Sequence, residues 1–389
     1  MWEVIYLDET ALWVVDHPDG VEVFTDQRFT PPPYDQPLPI FTTGRLAPTK
    51  VVDTDGQNVT ERLQDFDHRY PERLTPTAYQ GRVAPHTITM NFGDIDGLDH
   101  PVLILKAWIF WTDTSINVAM SQRRDMPPQL PQMEVWQEGE WKVIDRPIGL
   151  PTGKDKWVVL PIPELDRKDA RVRISTNFQI YWDQAFLADR LAEAPHRISI
   201  LSPAKADLRY GGYSEMYRPS EDGPHLYDYS RKVAMPLWMD VEGLVTRYGD
   251  VTDLLTATDD RHVVFVGGDE VAIRFDASDL PPLPDGWVRD VLFLSDGWDK
   301  DFDRNTVTGT TIGPLPFHAM SAYPYGDDEA YPTTAKHREY VETFQTRKVG
   351  PGPYLSYVRR WRKGMEVDLP WARAMESQQS RTENEGRSR

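Results

Sequence analysis

Hydrophobic and polar residues alternate with a two-residue rhythm over long parts of the chain. In RVRISTNFQIYW (171–182), Val172, Ile174, Thr176, Phe178, Ile180 and Trp182 fall on one side. Arg171, Arg173, Ser175, Asn177 and Gln179 fall on the other. A period of two marks a strand with one buried face, the usual state of antiparallel sheets. EVAIRFD (270–276) repeats the pattern with Val271, Ile273 and Phe275 inward. ALWVVDH (11–17), VEVFTD (21–26), HTITMNF (86–92), MEVWQ (133–137), WKVI (141–144), KWVVLPI (156–162), RHVVFVG (261–267) and VRDVLFLS (288–295) predict shorter strands. VLILKAWIFW (102–111), the longest apolar run, is interrupted by Lys106 and is of strand length. HPDG (17–20) and QEGE (137–140) separate apolar runs and predict hairpins. The prolines at 31–33 and in PPQLP (127–131) interrupt regular structure.

Helical periodicity is sparse. AKHREYVETFQTRK (335–348) places Tyr340, Val341 and Phe344 at helical spacing, with Thr334 as N-cap. DQAFLADRLAEA (183–194) is rich in helix formers and predicts a short helix after the preceding strand. Residues 201–235, rich in Gly, Pro, Tyr and charge, read as a long ordered connection between two halves. ESQQSRTENEGRSR (376–389) has no large apolar residue and reads as a disordered tail. The expectation is an all-β chain with minor helix, folded as two packed antiparallel β-sandwich units of jelly-roll-like type. The units would span residues 1–200 and 241–370, joined by a connection over 201–240, with the helix of 335–348 in the second.

Composition sharpens this picture. At 389 residues the chain exceeds the ~250–300 at which single cores stop growing, so two units are expected. The 33 Pro and 25 Gly, with 13 Trp, 17 Tyr and 14 Phe, suit strands joined by turns. Lys and Arg total 43 against 61 Asp and Glu, a net charge of −18. Such a surface repels phosphate backbones, which argues against nucleic acid as partner. The dense basic run Arg359, Arg360, Arg362 and Lys363 is short and reads as solvated surface. With no cysteine, disulfides, thiolate metal sites, Fe–S ligation and a Cys nucleophile are excluded. No run approaches the ~18 apolar residues of a membrane span. The opening MWEVIYLDETALWVV places acidic residues where a signal peptide would carry basic ones, so none is expected. The compartment stays open.

DGWDKDFDRNTVTG (296–309) is the densest candidate for chemistry. Asp299, Asp301, Asp303 and Asn305 alternate as in the front half of many calcium loops, where successive oxygens converge on a hard cation. Arg304 stands where an EF-hand needs Gly, and the closing Glu is missing, so an EF-hand is rejected. An irregular calcium site over these four residues competes with an acidic turn whose side chains cap backbone N–H groups. His86, His100, His196, His262, His318 and His337 are scattered without zinc-type spacing. His318, held among prolines and aromatics in PLPFHAMSAYPY (314–325), and Asp296 are the candidate catalytic residues. There is no G-x-S-x-G, no S-x-x-K constellation and no phosphate-binding Gly loop, and no nucleotide or redox cofactor is indicated. Tyr210, Tyr213, Tyr217, Tyr227 and Tyr229 cluster in the connection and suit stacking on sugar faces or anchoring a protein partner.

Several segments also resemble a known family. VLILKAWIFWTDTSINVAMSQ (102–122), VRISTNFQIYWDQAFLA (172–188), GLVTRYGDVTDLL (243–255), the stretch 269–306 and PLPFHAMSAYPY (314–325) are similar to the C-terminal region of large bacterial proteins with FG-GAP/VCBS-type repeats and an ASPIC/UnbV domain, the cartilage-acidic-protein-like group. The resemblance spans roughly residues 10–350. It implies an exported, interaction-centred setting and carries no assigned activity. The strand alternation, the tyrosine-rich connection and the lack of a nucleophile or metal signature lead to the expected function, a non-catalytic binding or assembly module for a glycan or protein partner, with calcium ordering the acidic stretch. The alternative is a hydrolase or metal-dependent enzyme whose site assembles from separated segments in the cleft between the units.

Overall fold

The computed structural model describes residues 3–30, 38–71, 73–146, 148–220, 223–233, 241–301, 303, 305–306 and 308–350. The basic run at 359–363, the end of the second expected unit and the expected tail lie outside them.

The chain opens on a long strand, β1 (Glu3–Pro18), followed by β2 (Val21–Phe24), β3 (Arg28–Phe29), β4 (Ile40–Leu46), β5 (Lys50–Val52), β6 (Arg82–Gly93) and β7 (Pro101–Ile109). Helix α1 (Thr114–Ser121) precedes β8 (Gln132–Gln137), β9 (Glu140–Val143), β10 (Leu150–Pro151), β11 (Lys156–Pro161), β12 (Ala170–Phe178) and β13 (Ile180–Arg190). Next come β14 (Arg197–Leu201), β15 (Pro203–Tyr210), β16 (Tyr213–Tyr217), β17 (Leu226–Val233), β18 (Gly243–Val245) and β19 (Gly249–Asp250). The described chain ends with β20 (Val263–Val266), β21 (Asp269–Phe275), β22 (Trp287–Asp301), α2 (Ala335–Phe344) and β23 (Arg347–Val349). The protein is all-β with minor helix, as the alternation predicts, and every pairing between these strands is antiparallel.

Residues 21–190 form a sandwich of two five-stranded sheets, ordered β11-β7-β13-β4-β2 and β5-β6-β12-β8-β9. Leu103, Leu105, Trp182 and Leu187 of one sheet meet Ile88, Met90, Val135, Val172 and Ile174 of the other in one continuous core. At ~1.5–3 kcal/mol per fully buried large apolar side chain, this interface is the main source of the unit's stability. Strand β7 is buried on both faces, because Val102 and Ile104 pack outward against Phe24, Phe186 and Trp157. That double burial explains an apolar run without alternation. QEGE makes the expected two-residue hairpin between β8 and β9, with Glu138 and Gly139 both at positive φ, 53° and 88°.

The second unit is built on β1. Strand β22 runs along one edge of it for nearly its whole length, while β14 and β20 share the other edge. The three-stranded sheet β19-β15-β21 lies beside it. Helix α2 closes the second core through Tyr340, buried with Leu208, Leu254 and Val263. Its N-cap is Thr334, whose hydroxyl accepts from the His337 N–H, as expected.

Five expectations need correction. The run 171–182 is not one strand: β12 ends at Phe178, and Ile180, Tyr181 and Trp182 open β13 in the facing sheet, all three buried. Residues 3–18 belong with the C-terminal strands, so the first unit does not begin at the start of the chain. HPDG is not a hairpin: β2 leaves to pair with β4, and Asp19 N–H instead bonds Gly286 O. Segment 183–194 is not a helix, because β13 extends to Arg190; burial on both faces overrides the propensity of its helix formers. The 201–235 connection contains β15 and the hairpin β16–β17 rather than a loop. Leu226 of that hairpin packs on Trp108 and Tyr181, which fixes it against the sandwich.

Candidate functional site

A cleft of about 870 Å³ opens where the sandwich, the hairpin and the second unit meet. The sandwich supplies Trp108, Trp111 and Phe178, the hairpin Tyr213, Tyr227 and Tyr229, and the second unit Trp298 and Tyr323. Three of the five expected tyrosines therefore line it. Tyr210 and Tyr217 are not part of the lining and are exposed. The tryptophans of the sandwich wall were not singled out in the sequence, since a strand tryptophan reads there as core.

The second unit adds carboxylates to the aromatic walls. Glu3 stands opposite Asp301 in the β1–β22 ladder, and Ile5 stands opposite Asp299, so Glu3, Asp299 and Asp301 project on one side. Burial, reinforced by the Asp299 charge, pushes the Glu3 carboxyl up to about 7. Burial also raises Asp301, helped by Asp303 and Asp113. Lys300 bonds Thr311 O at 2.6 Å, and its burial lowers the ammonium to about 8.

Glu3 gives a pH prediction. Its pKa is raised on folding, from about 4.5 to about 7, so between those values the folded protein holds a proton that the unfolded chain has lost. Stability must fall as pH rises through that window. Glu3→Gln removes the penalty: a gain of about 1–2 kcal/mol is expected at pH 8, after solvent screening, and none at pH 5. Melting temperatures at the two pH values check it; equal shifts at both would contradict the assignment.

Of the four residues expected to hold calcium, Asp303 and Asn305 bond each other, with Asn305 Nδ2 donating to Asp303 Oδ1 at 3.2 Å. Among the described residues, no metal-sized cluster contains Asp299, Asp301 or Asp303. Asp303 instead accepts from Ser115 N–H at 2.6 Å at the start of α1, and Asn305 Nδ2 donates to Ser115 Oγ at 3.0 Å. Asp113 caps the same helix, accepting from Ile116 N–H at 2.8 Å. Free N–H groups and the helix dipole favour carboxylates there. The end of the acidic stretch thus ties β22 to α1 of the sandwich.

The expected catalytic pair does meet. His318 Nε2 lies 3.0 Å from Asp296 Oδ1, and His318 Nδ1 lies 2.7 Å from Asp260 Oδ1. Behind them Asp8 is fully buried, 3.6 Å from His318 Nδ1, and accepts the N–H groups of Asp259 and Asp260 at 3.2 and 2.9 Å. Burial raises the Asp8 pKa. For His318, burial opposes the charged ring, but the bonds to Asp260 and Asp296 outweigh it and raise its pKa. His262, wholly buried, lies with Nε2 4.0 Å from Asp8 Oδ2, and burial lowers it to about 4. Trp298 packs edge-on against His318 at 5.5 Å between ring centres and separates this cluster from the cleft, whose lining excludes His318, Asp260 and Asp296. A second cluster, His68, Asp155 and the buried Asp183, lies in the sandwich unit. Burial pushes Asp183 up to about 6.

These features define an all-β protein with an aromatic cleft flanked by a histidine–carboxylate cluster. Comparison with family models, curated proteins and solved structures finds no match.

Proposed function

We propose that the protein is a binding module that takes a carbohydrate chain into the aromatic cleft. The supporting observation is the pairing of flat aromatic walls with a carboxylate edge. Pyranose rings present apolar faces that stack on Trp and Tyr, and hydroxyls that donate to carboxylates. Trp111 comes from the sandwich, Tyr229 from the hairpin and Trp298 from the second unit, so a ligand stacked along the cleft would touch both units and the hairpin. Tyr229 is 68% exposed, an aromatic ring left open to partners rather than packed away. An interaction role also agrees with the setting that the family resemblance implies.

The test is a glycan array followed by titration. Tyr229→Ala and Trp111→Ala should leave the fold intact and weaken binding about tenfold each, the loss of one stacked ring. No captured glycan, or affinities untouched by both substitutions, would overturn the reading. The catalytic alternative rests on His318 held between Asp260 and Asp296. It requires turnover of a glycoside that Asp296→Asn abolishes.

A further inference from the structure

We infer that Asp8, Asp260 and His318 bind a divalent transition-metal ion, with His262 as the buried fourth donor. The site is separate from Asp299, Asp301, Asp303 and Asn305 and from the aromatic cleft, and it meets the acidic stretch only through Asp296.

The donor atoms of Asp8, Asp260 and His318 lie within 4.8 Å of one another; His262 stands outside that group, with Nε2 4.0 Å from Asp8 Oδ2, and would have to swing toward the ion to bind it. Tetrahedral sites with bonds of ~2.0–2.2 Å keep their donors roughly 3.3–3.6 Å apart. His318 Nδ1 stands 3.6 Å from Asp8 Oδ2 and 2.7 Å from Asp260 Oδ1, so small side-chain rotations meet that requirement. The donors also come from three separate segments: β1, the turn before β20, and the segment 314–325. An ion here would clasp all three.

Two further observations distinguish the cluster from a solvated ion pair. The first is His262. It has zero exposure, and neither ring nitrogen has a hydrogen-bond partner among the described residues. A buried imidazole without partners is costly, and buried polar groups are rarely left so. Its Nε2 approaches Asp8 Oδ2 to 4.0 Å, and an ion bound to Asp8 is the partner it lacks. The second is the surrounding of His318. With Nδ1 toward the cluster, its Nε2 faces Asp296 at 3.0 Å, the carboxylate–histidine–metal relay that orients ligating imidazoles. Asp8 is likewise fixed by two backbone N–H groups, and the Tyr331 hydroxyl bonds Asp260 O. Two imidazoles with two carboxylates favour zinc, manganese or iron over calcium, which prefers oxygen donors throughout.

The experiment strips the full-length protein with chelator, then titrates it calorimetrically with Zn²⁺, Mn²⁺ and Ca²⁺. One Zn²⁺ or Mn²⁺ per chain is expected, with Ca²⁺ binding far more weakly. His318→Gln and Asp8→Asn should abolish binding, whereas Asp296→Asn, which touches only the outer face of His318, should weaken it about 10- to 100-fold. Because the first two substitutions sit at a packed site, circular dichroism must show them folded; the wild-type titration and Asp296→Asn decide the matter if they are not. No binding of either transition metal by wild type, or affinity unchanged in Asp296→Asn, overturns the inference. So does binding that survives His318→Gln and disappears in His68→Gln, which would place the ion in the sandwich unit.

Discussion

Gly297→Ala is expected to remove about 3–4 kcal/mol of stability, enough to unfold much of a protein whose total margin is of order 5–15 kcal/mol. Gly297 lies on β22 opposite Leu7, where the register with β1 shifts between Leu7 and Glu9. Its φ is +153°, a conformation that side chains rarely adopt. A Cβ there would press into the Tyr6 carbonyl oxygen and come within 3.1 Å of Leu7 Cα. Both are backbone atoms of the partner strand, so no rotamer change relieves the clash, and the two strands must part. Tyr6 is almost fully buried, its hydroxyl bonded to Ile312 O, so movement there spreads into the second core. Asp296 and Trp298 flank the position, so any folded remainder should also lose the His318 contacts. Gly286→Ala is the control. Its φ is +73°, but a Cβ there meets nothing within 4 Å, and only the conformational cost of about 1 kcal/mol is expected. Urea unfolding of both variants checks the contrast; a loss at Gly297 no larger than at Gly286 would show that β1 and β22 are not packed as described.

This glycine also shows where reading the chain alone stops. The two-residue rhythm of 171–176 specifies most of β12 side chain by side chain, because a strand with one buried face writes its own environment into the sequence, but nothing in that rhythm marks the break after Phe178 where the chain crosses to β13. Thr334 marks the start of α2 for a similar local reason. Strand β13 carries no such mark, since burial on both faces erases the alternation. Helix α1 did have a local signal, Asp113 before TSINVAM, although its strongest anchor, Asp303, comes from far along the chain. Partnership between distant segments is invisible to any local rule. Nothing near Glu3 says that it will lie beside Asp301, and nothing near Asp8 points to Asp260. His318 and Asp296 could be singled out for their rigid and acidic surroundings. The buried members of their cluster, Asp8 and His262, emerge only from the packing of β1 against β20.

Asp16 is the clearest such partnership, and Asp16→Ala is expected to cost about 2–3 kcal/mol at neutral pH. On β1 it faces Arg197 of β14 on one side and Arg289 of β22 on the other, in register with both. Arg289 Nε donates to Asp16 Oδ1 at 2.6 Å and Arg197 Nε to Oδ2 at 2.9 Å. The two guanidiniums also hold Pro281 O and Pro282 O, so one carboxylate positions three strands and a loop. Asp16 is 1% exposed, whereas both arginines keep partial access to water. That asymmetry sets the magnitude. The arginines can be rehydrated when the carboxylate is lost, which keeps the cost below that of breaking a fully buried pair. The hydrogen bonds from Arg289, and then those from Arg197, hold the Asp16 carboxyl below the usual carboxylate range against the opposing effect of burial. A lowered acid pKa stabilises the fold fully above the unfolded value, and the contribution disappears as pH falls through the folded one. Wild type and Asp16→Ala should therefore differ most at pH 7 and converge as the pH falls below the ordinary carboxylate value of 3.8. Denaturant midpoints across that range test the prediction, and a difference that stays constant with pH would mean that the charge on Asp16 contributes nothing to joining the strands.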